Sequence, residues 1–213
     1  MRLVVLGASG GCGKELVVQA AERGWDVVAV TRPSSKVSLP AGVTHLSGDL
    51  CDPAFLTSAF AGADAVASAL GLRLPGIAPW AKAEDPTFLA RSTPAIVGAM
   101  KAAGVKRVIA VSAGGVGDSA PNVPAVFRAF IALSALRFAY VELDKMEAVY
   151  RASGLDVCMV RPGGLTHGPR TGRAAAMDAM RGPASISRAD VACWMLDELR
   201  APVFSKVSTL IGV

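Results

Sequence analysis

Hydrophobic positions fall into seven short, largely apolar runs, at 3–6, 27–31, 43–46, 65–68, 107–111, 157–160 and 207–211. They lack strict alternation, the pattern of strands covered on both faces. Between them lie stretches with helical character, at 14–23, 53–60, 86–103, 123–153 and 188–199. The second begins with Asp52, a capping residue, and Pro53 at the first helical position. Ala103-Gly104 and Ser153-Gly154 place glycine where the third and fourth should stop. Strands alternating with helices over short connections predict an α/β fold, a doubly wound parallel sheet with helices on both faces. The expectation is a single Rossmann domain over 1–213. Two stretches dense in glycine and proline, about 71–85 and 163–183, read as irregular and trail strand carboxyl ends, where such sheets place their ligands. The segment holding Val126, Phe127, Phe130, Ile131, Leu133, Leu136 and Phe138 reads as core, or as the lining of an apolar pocket or an oligomer contact.

Composition narrows the class. With 213 residues, 52% hydrophobic and 18% charged, the chain has ample material for a core, and disorder is excluded. The net charge of +5 is scattered and aromatics are only 6%, which argues against a nucleic-acid groove. The surplus favours anionic small molecules. No run approaches the roughly eighteen apolar residues of a membrane span. Cys12, Cys51, Cys158 and Cys193 form no CxxC pair, and there are two histidines. Neither a metal site nor a disulfide framework is expected, and a cytoplasmic setting follows.

The sharpest motif is Gly7-Ala8-Ser9-Gly10-Gly11-Cys12-Gly13, directly after an apolar strand and directly before a helix. Its GxxGxxG spacing is a variant of the dinucleotide fingerprint. The first glycine permits the turn, the middle one lets a pyrophosphate approach, and the third lets helix and strand pack closely. Ser9, Gly11 and Cys12 complete the candidate phosphate cradle at a helix N-terminus. A nucleoside triphosphate loop is ruled out, because it needs Gly at position 8 and Ser or Thr at 15, and the chain has Ala8 and Glu15.

Cofactor choice is read about twenty residues past the turn, where NAD sites carry an acidic residue for the ribose. This chain has Thr31-Arg32-Pro33-Ser34-Ser35-Lys36 instead. Arg32 and Lys36 suit a 2′-phosphate, with Ser34 and Ser35 as hydroxyl donors, so NADP is expected in preference to NAD. Asp49 and Leu50 would flank the adenine, unless Asp49 is a turn residue.

The glycine turn, Thr31-Arg32, Gly48-Asp49-Leu50, Ala69-Leu70-Gly71, Val111-Ser112-Ala113, Arg161-Pro162-Gly163-Gly164 and Ile186-Ser187-Arg188-Ala189-Asp190-Val191 occur in this order across nearly the whole chain. On these residues the chain resembles the atypical short-chain dehydrogenase/reductase group with NAD(P)H-binding domains. Its pattern is similar to the small flavin reductase/biliverdin-IXβ reductase type and to bacterial NmrA-like proteins. The resemblance implies a nicotinamide across the carboxyl ends of the fourth to sixth strands. Leu70 and Gly71 would then pass under the cofactor, Ser112 would lie beside the nicotinamide, Pro162 and Gly163 on its far side, and Arg73 near the phosphates.

Typical members of that group use Ser, Tyr and Lys, the last two spaced YxxxK, with the lysine also holding the ribose. Ser112 stands at the serine position and Lys145 at the lysine's, but four before Lys145 is Val141. Tyr140 lies five before it, about 100° further round the helix. The candidate catalytic set of Ser112, Tyr140 and Lys145 is therefore displaced by one residue. The flavin-reductase-like branch is expected to manage without that tyrosine, since an electron-poor ring needs little proton donation. The resemblance implies an NADP(H)-dependent reductase of a small apolar or aromatic acceptor (flavin, quinone or carbonyl), in a monomer or homodimer. The alternative is a non-catalytic NADP(H)-binding redox sensor of the NmrA-like type.

His167 follows a strand and either borders the nicotinamide or is a surface residue; His45 reads as structural. Cys12, at a helix N-terminus, is expected to have a lowered thiol pKa. Glu142, Asp144 and Glu147, around Lys145, are expected to form a solvated helical face.

Overall fold

The computed structural model describes residues 1–182 and 184–213, so the last residue of the 163–183 stretch lies outside the described residues. In chain order the elements are β1 (Arg2–Leu6), α1 (Gly11–Glu22), β2 (Asp26–Thr31), β3 (Thr44–Ser47), α2 (Pro53–Phe60) and β4 (Ala65–Ser68). They continue as α3 (Phe88–Ala102), β5 (Arg107–Val111), α4 (Ala125–Leu133), α5 (Leu136–Ala152), β6 (Asp156–Pro162) and β7 (Gly164–Thr166). The last are β8 (Ala175–Met177), β9 (Ser185–Ser187), α6 (Arg188–Arg200) and β10 (Ser208–Gly212).

Among the described residues eight strands form one sheet in the order β3-β2-β1-β4-β5-β6-β10-β8, and β7 pairs with β9 apart from it. Pairing is parallel from β3 through β10, and β8 adds an antiparallel edge. The first six strands follow the 3-2-1-4-5-6 order of the doubly wound dinucleotide fold, with its reversal between β1 and β4. Alternate residues of β1 supply opposite faces. Leu3 and Val5 pack under α1 and α6, while Val4 and Leu6 pack under α2, α3 and α5. A strand buried on both sides needs no polar alternation, which is why these runs read as continuous. Asp52 caps α2 as expected, accepting from the N–H of Ala54 at 2.9 Å. Among the described residues no helix is long and apolar enough to cross a membrane.

Three sequence expectations are corrected. The 123–153 stretch is two helices, because the Ser134 hydroxyl donates to the Ile131 carbonyl and accepts from Leu136 N–H, ending one helix and starting the next. The 43–46 run is an exposed edge strand, with Leu46 reaching the core. The 163–183 stretch holds β7 and β8 rather than irregular chain alone.

Candidate functional site

β1 delivers the chain into the glycine turn at its carboxyl end. Gly7 takes φ +76°, which glycine adopts without steric cost, and a Cβ there would fall 2.9 Å from the Ala69 carbonyl oxygen. A Cβ on Gly13 would fall 2.7 Å from the Gly7 carbonyl carbon, so helix and strand meet backbone to backbone. Gly10 N–H donates to the Gly7 carbonyl at 2.9 Å. Gly10 caps α1 with no side-chain hydrogen bond, and among the described residues the N–H groups of Gly11, Cys12 and Gly13 have no side-chain acceptor at the positive end of the helix. This cradle fits a pyrophosphate. Cys12 departs from expectation, because burial pushes its thiol up to about 11, outweighing the lowering pull of Arg188.

A cavity of about 310 Å³ opens beside the turn, and Gly7, Ser9, Gly10, Arg32, Asp49, Leu50, Leu70, Gly71 and Arg73 all line it. The Ser9 hydroxyl donates to that of Ser35 at 3.2 Å, tying the turn to the loop after β2. Lys36 is exposed outside this lining. Asp49 accepts from Cys51 N–H at 2.9 Å, so it is both a turn residue and a wall of the cavity. Reading 31–36 locally missed Glu84, which the 71–85 stretch brings to 3.9 Å from Arg32 Nη1 and 4.0 Å from Arg73 Nη1.

At the carboxyl ends of β5 and β6 the polar groups are tightly engaged. The Ser112 hydroxyl donates to Glu147 Oε1 at 2.6 Å. Arg161 holds the same carboxylate by Nε at 2.9 Å and Nη2 at 2.5 Å, and its Nη2 also reaches Asp118 at 2.6 Å. Hydrogen bonding from Arg161 keeps the Asp118 carboxyl below the usual range. Tyr140 donates to the Gly114 carbonyl at 2.9 Å, and burial pushes its hydroxyl up to about 12. Lys145 Nζ donates to Glu142 Oε1 at 2.9 Å. Ser112, Tyr140 and Lys145 thus engage three different partners, and no hydrogen bond among the described residues joins them. The expected solvated face holds for Asp144, which is exposed, and is corrected for Glu142 and Glu147, each 2% exposed. The signal was present, since Leu143, Met146 and Tyr150 mark a buried stripe at helical spacing through Glu147. Gly114 N–H donates to the Pro162 carbonyl at 2.8 Å, and Gly163 packs against the Ala184 backbone.

Beyond Gly163 lies a second cavity of about 610 Å³, walled by Pro124, Val126, Phe127, Phe130, Met180 and Ala184 with Gly164 and Gly182 between them. Ser185 is the one hydroxyl in its lining among the described residues. The 126–138 segment is therefore pocket wall and surface more than core; Val126 is 78% exposed and Leu133 73%. His167 is exposed after β7, and His45 bonds Thr31 at 2.8 Å on the edge strand.

Known proteins share this fold. A family model described as NAD(P)H-binding matches residues 7–202. ChuY, an anaerobilin reductase from Escherichia coli O157:H7, is 25% identical, covering 99% of this chain and 96% of that chain, with a TM-score of 0.77. A short-chain dehydrogenase/reductase from Veillonella parvula, solved in complex with NADP, is 19% identical over 100% of this chain and 94% of that chain, with a TM-score of 0.78. A Burkholderia pseudomallei protein designated as exported is 27% identical, with full coverage of both chains and a TM-score of 0.74. The solved structures it resembles include an anaerobilin reductase and a short-chain dehydrogenase/reductase, and the chain belongs to the NAD(P)H-binding family.

Proposed function

We propose that the protein is an NADP(H)-dependent reductase of a small, conjugated, largely apolar acceptor of the flavin, quinone or anaerobilin kind. The observation that carries this reading is the 610 Å³ cavity, whose lining among the described residues holds no ionisable side chain. Such a wall recognises an aromatic or polyene surface and excludes water. The E. coli neighbour's reduction of anaerobilin supports an acceptor of this kind. The preference for NADP rests on Arg32 and the Ser9–Ser35 hydroxyl pair at the first cavity, and the Veillonella neighbour's NADP agrees with it.

The reduced nicotinamide supplies a hydride when bound; the chain supplies position and surroundings. The glycine turn and the α1 N–H groups would hold the diphosphate, and Arg32 with Ser35 the 2′-phosphate. Leu70, Gly71, Pro162 and Gly163 would frame the nicotinamide end. Tyr140 is poorly placed as an acid, because its proton is committed to the Gly114 carbonyl and its hydroxyl is held well above neutrality. Lys145 is turned to Glu142 and does not lower it. An electron-poor acceptor whose reduced form is a stabilised anion, protonated once it is released to solvent, suits these constraints. The same reading has the enzyme in the cytoplasm, acting on a small molecule rather than on nucleic acid or membrane.

The test is NADPH oxidation across flavins, quinones, anaerobilin and simple aldehydes, with Tyr140→Phe run in parallel. Turnover of a conjugated acceptor, changed less than about threefold by Tyr140→Phe, is expected; loss of 10²-fold or more in that variant would make the tyrosine a general acid. Tight NADPH binding with no turnover of any acceptor would move the protein to the redox-sensor reading.

A further inference from the structure

The glycine motif explains Gly7, Gly10 and Gly13, but not the fourth glycine, Gly11. Gly11 is the first residue of α1, and a Cβ there would fall 2.6 Å from Nε of Arg188. Arg188 comes from the other end of the chain, as the first residue of α6. Its side chain lies across the opening of α1, and only a residue without a Cβ leaves room for it. Its Nη1 donates to the carbonyls of Thr166 at 3.1 Å and Leu165 at 3.4 Å. Those partners are neutral, so no carboxylate among the described residues cancels its charge. The start of α6 is itself fixed, since Ser187 accepts from Asp190 N–H at 2.9 Å. Asp190 in turn accepts from the N–H groups of Thr171 at 2.7 Å and Gly172 at 2.8 Å.

A fixed, uncompensated guanidinium beside uncapped helix N–H groups is an arrangement for a diphosphate. We propose that Arg188 is a pyrophosphate-binding residue of the dinucleotide site, and that Gly11 is glycine to admit it. The inference rests on the dinucleotide reading of the turn and goes further by giving the diphosphate a side-chain ligand from α6. It separates two cationic roles: Arg32 reads the 2′-phosphate that only NADP carries, and Arg188 the diphosphate common to NADP and NAD.

The experiment is calorimetric titration of the full chain with NADPH and with NADH. Arg188→Gln is expected to weaken both by a similar factor of about tenfold, the scale of one charge-assisted hydrogen bond. Arg32→Ala is expected to weaken NADPH alone. Gly11→Ala should reproduce the Arg188→Gln loss by displacing the guanidinium, and should add little on the Arg188→Gln background. Circular dichroism melts of each variant separate lost binding from lost folding. Unchanged affinities in Arg188→Gln, or a loss confined to NADPH, overturn the assignment. Additive losses overturn the link between Gly11 and Arg188. If the wild-type chain binds neither dinucleotide, the cofactor reading falls first and this inference with it.

Discussion

Glu147 lies 2% exposed between Ser112, Arg161 and Arg151, a carboxylate taken out of water and surrounded by donors. Breaking such a pair leaves Arg161, itself 3% exposed, with only the exposed Asp118 carboxylate as counter-charge, which puts the cost toward the low end of about 3–5 kcal/mol. Glu147→Gln keeps the shape and removes the charge. At roughly 2–4 °C per kcal/mol for a chain of this size, its melting midpoint should fall by about 6–12 °C even at the low end of that cost. Thermal melts followed by circular dichroism check this, and a fall under about 2 °C would mean the pair is not needed for folding. The geometry also alters what Ser112 offers. Its one proton goes to Glu147, so toward any ligand it presents lone pairs, unlike a serine that donates to a substrate carbonyl. Local residue chemistry was legible in the sequence where partners are neighbours, as in the glycine turn or Asp52 over Ala54. It was not legible at Glu147 and Arg161, which sit on different elements and meet through packing. Charge suggested solvent at Glu147; the stripe of Leu143, Met146 and Tyr150 was the better guide.

At the scale of elements, the start of α6 is tied to the 163–183 stretch through the Asp190 carboxylate. Burial would raise the Asp190 carboxyl, but hydrogen bonds from Gly172 and Thr171 N–H and from the Thr171 and Ser187 hydroxyls together hold it below the usual carboxylate range. A group whose folded pKa is depressed contributes stability above its unfolded value, about 3.9 for Asp, and loses it as pH falls through the folded value. Asp190→Asn should therefore lower stability by about 1–3 kcal/mol at neutral pH, the cost of replacing hydrogen bonds to a charged group. That deficit should shrink as pH drops below about 4. Urea midpoints for both proteins from pH 7 to pH 3 test this; a deficit of the same size throughout would assign the loss to shape rather than charge. Sequence periodicity found α6 within one residue of its end. It missed the break at Ser134, because a serine that bonds its own backbone carries no hydrophobic signal. It also missed β7 and β8, three-residue strands too short to show a period.

Over the whole molecule, the two cavities belong to one sheet edge. From β1 to β6 the order β1-β4-β5-β6 has three inter-strand steps, about 14–15 Å at ordinary spacing. The glycine turn stands at one end of this span and Gly163 at the other. Alternation of runs made the parallel sheet legible in the sequence. The pairing of β10 beside β6 and the antiparallel β8 depend on long-range packing that no local pattern reports. A ligand reaching along this edge would bind contacts from α1, the β2 loop, β4 and β6, none of which exist together in the unfolded chain. Binding must then raise the stability of the whole sheet. NADPH at 100 times its dissociation constant should add about 2.7 kcal/mol, a rise of roughly 5–11 °C in melting midpoint. NADH at the same concentration should add less, because Arg32 has no 2′-phosphate to hold. Thermal melts at matched dinucleotide concentrations decide between the readings. Equal shifts from both would remove Arg32 as the selector while leaving the diphosphate cradle intact, and no shift from either would remove the dinucleotide from this edge.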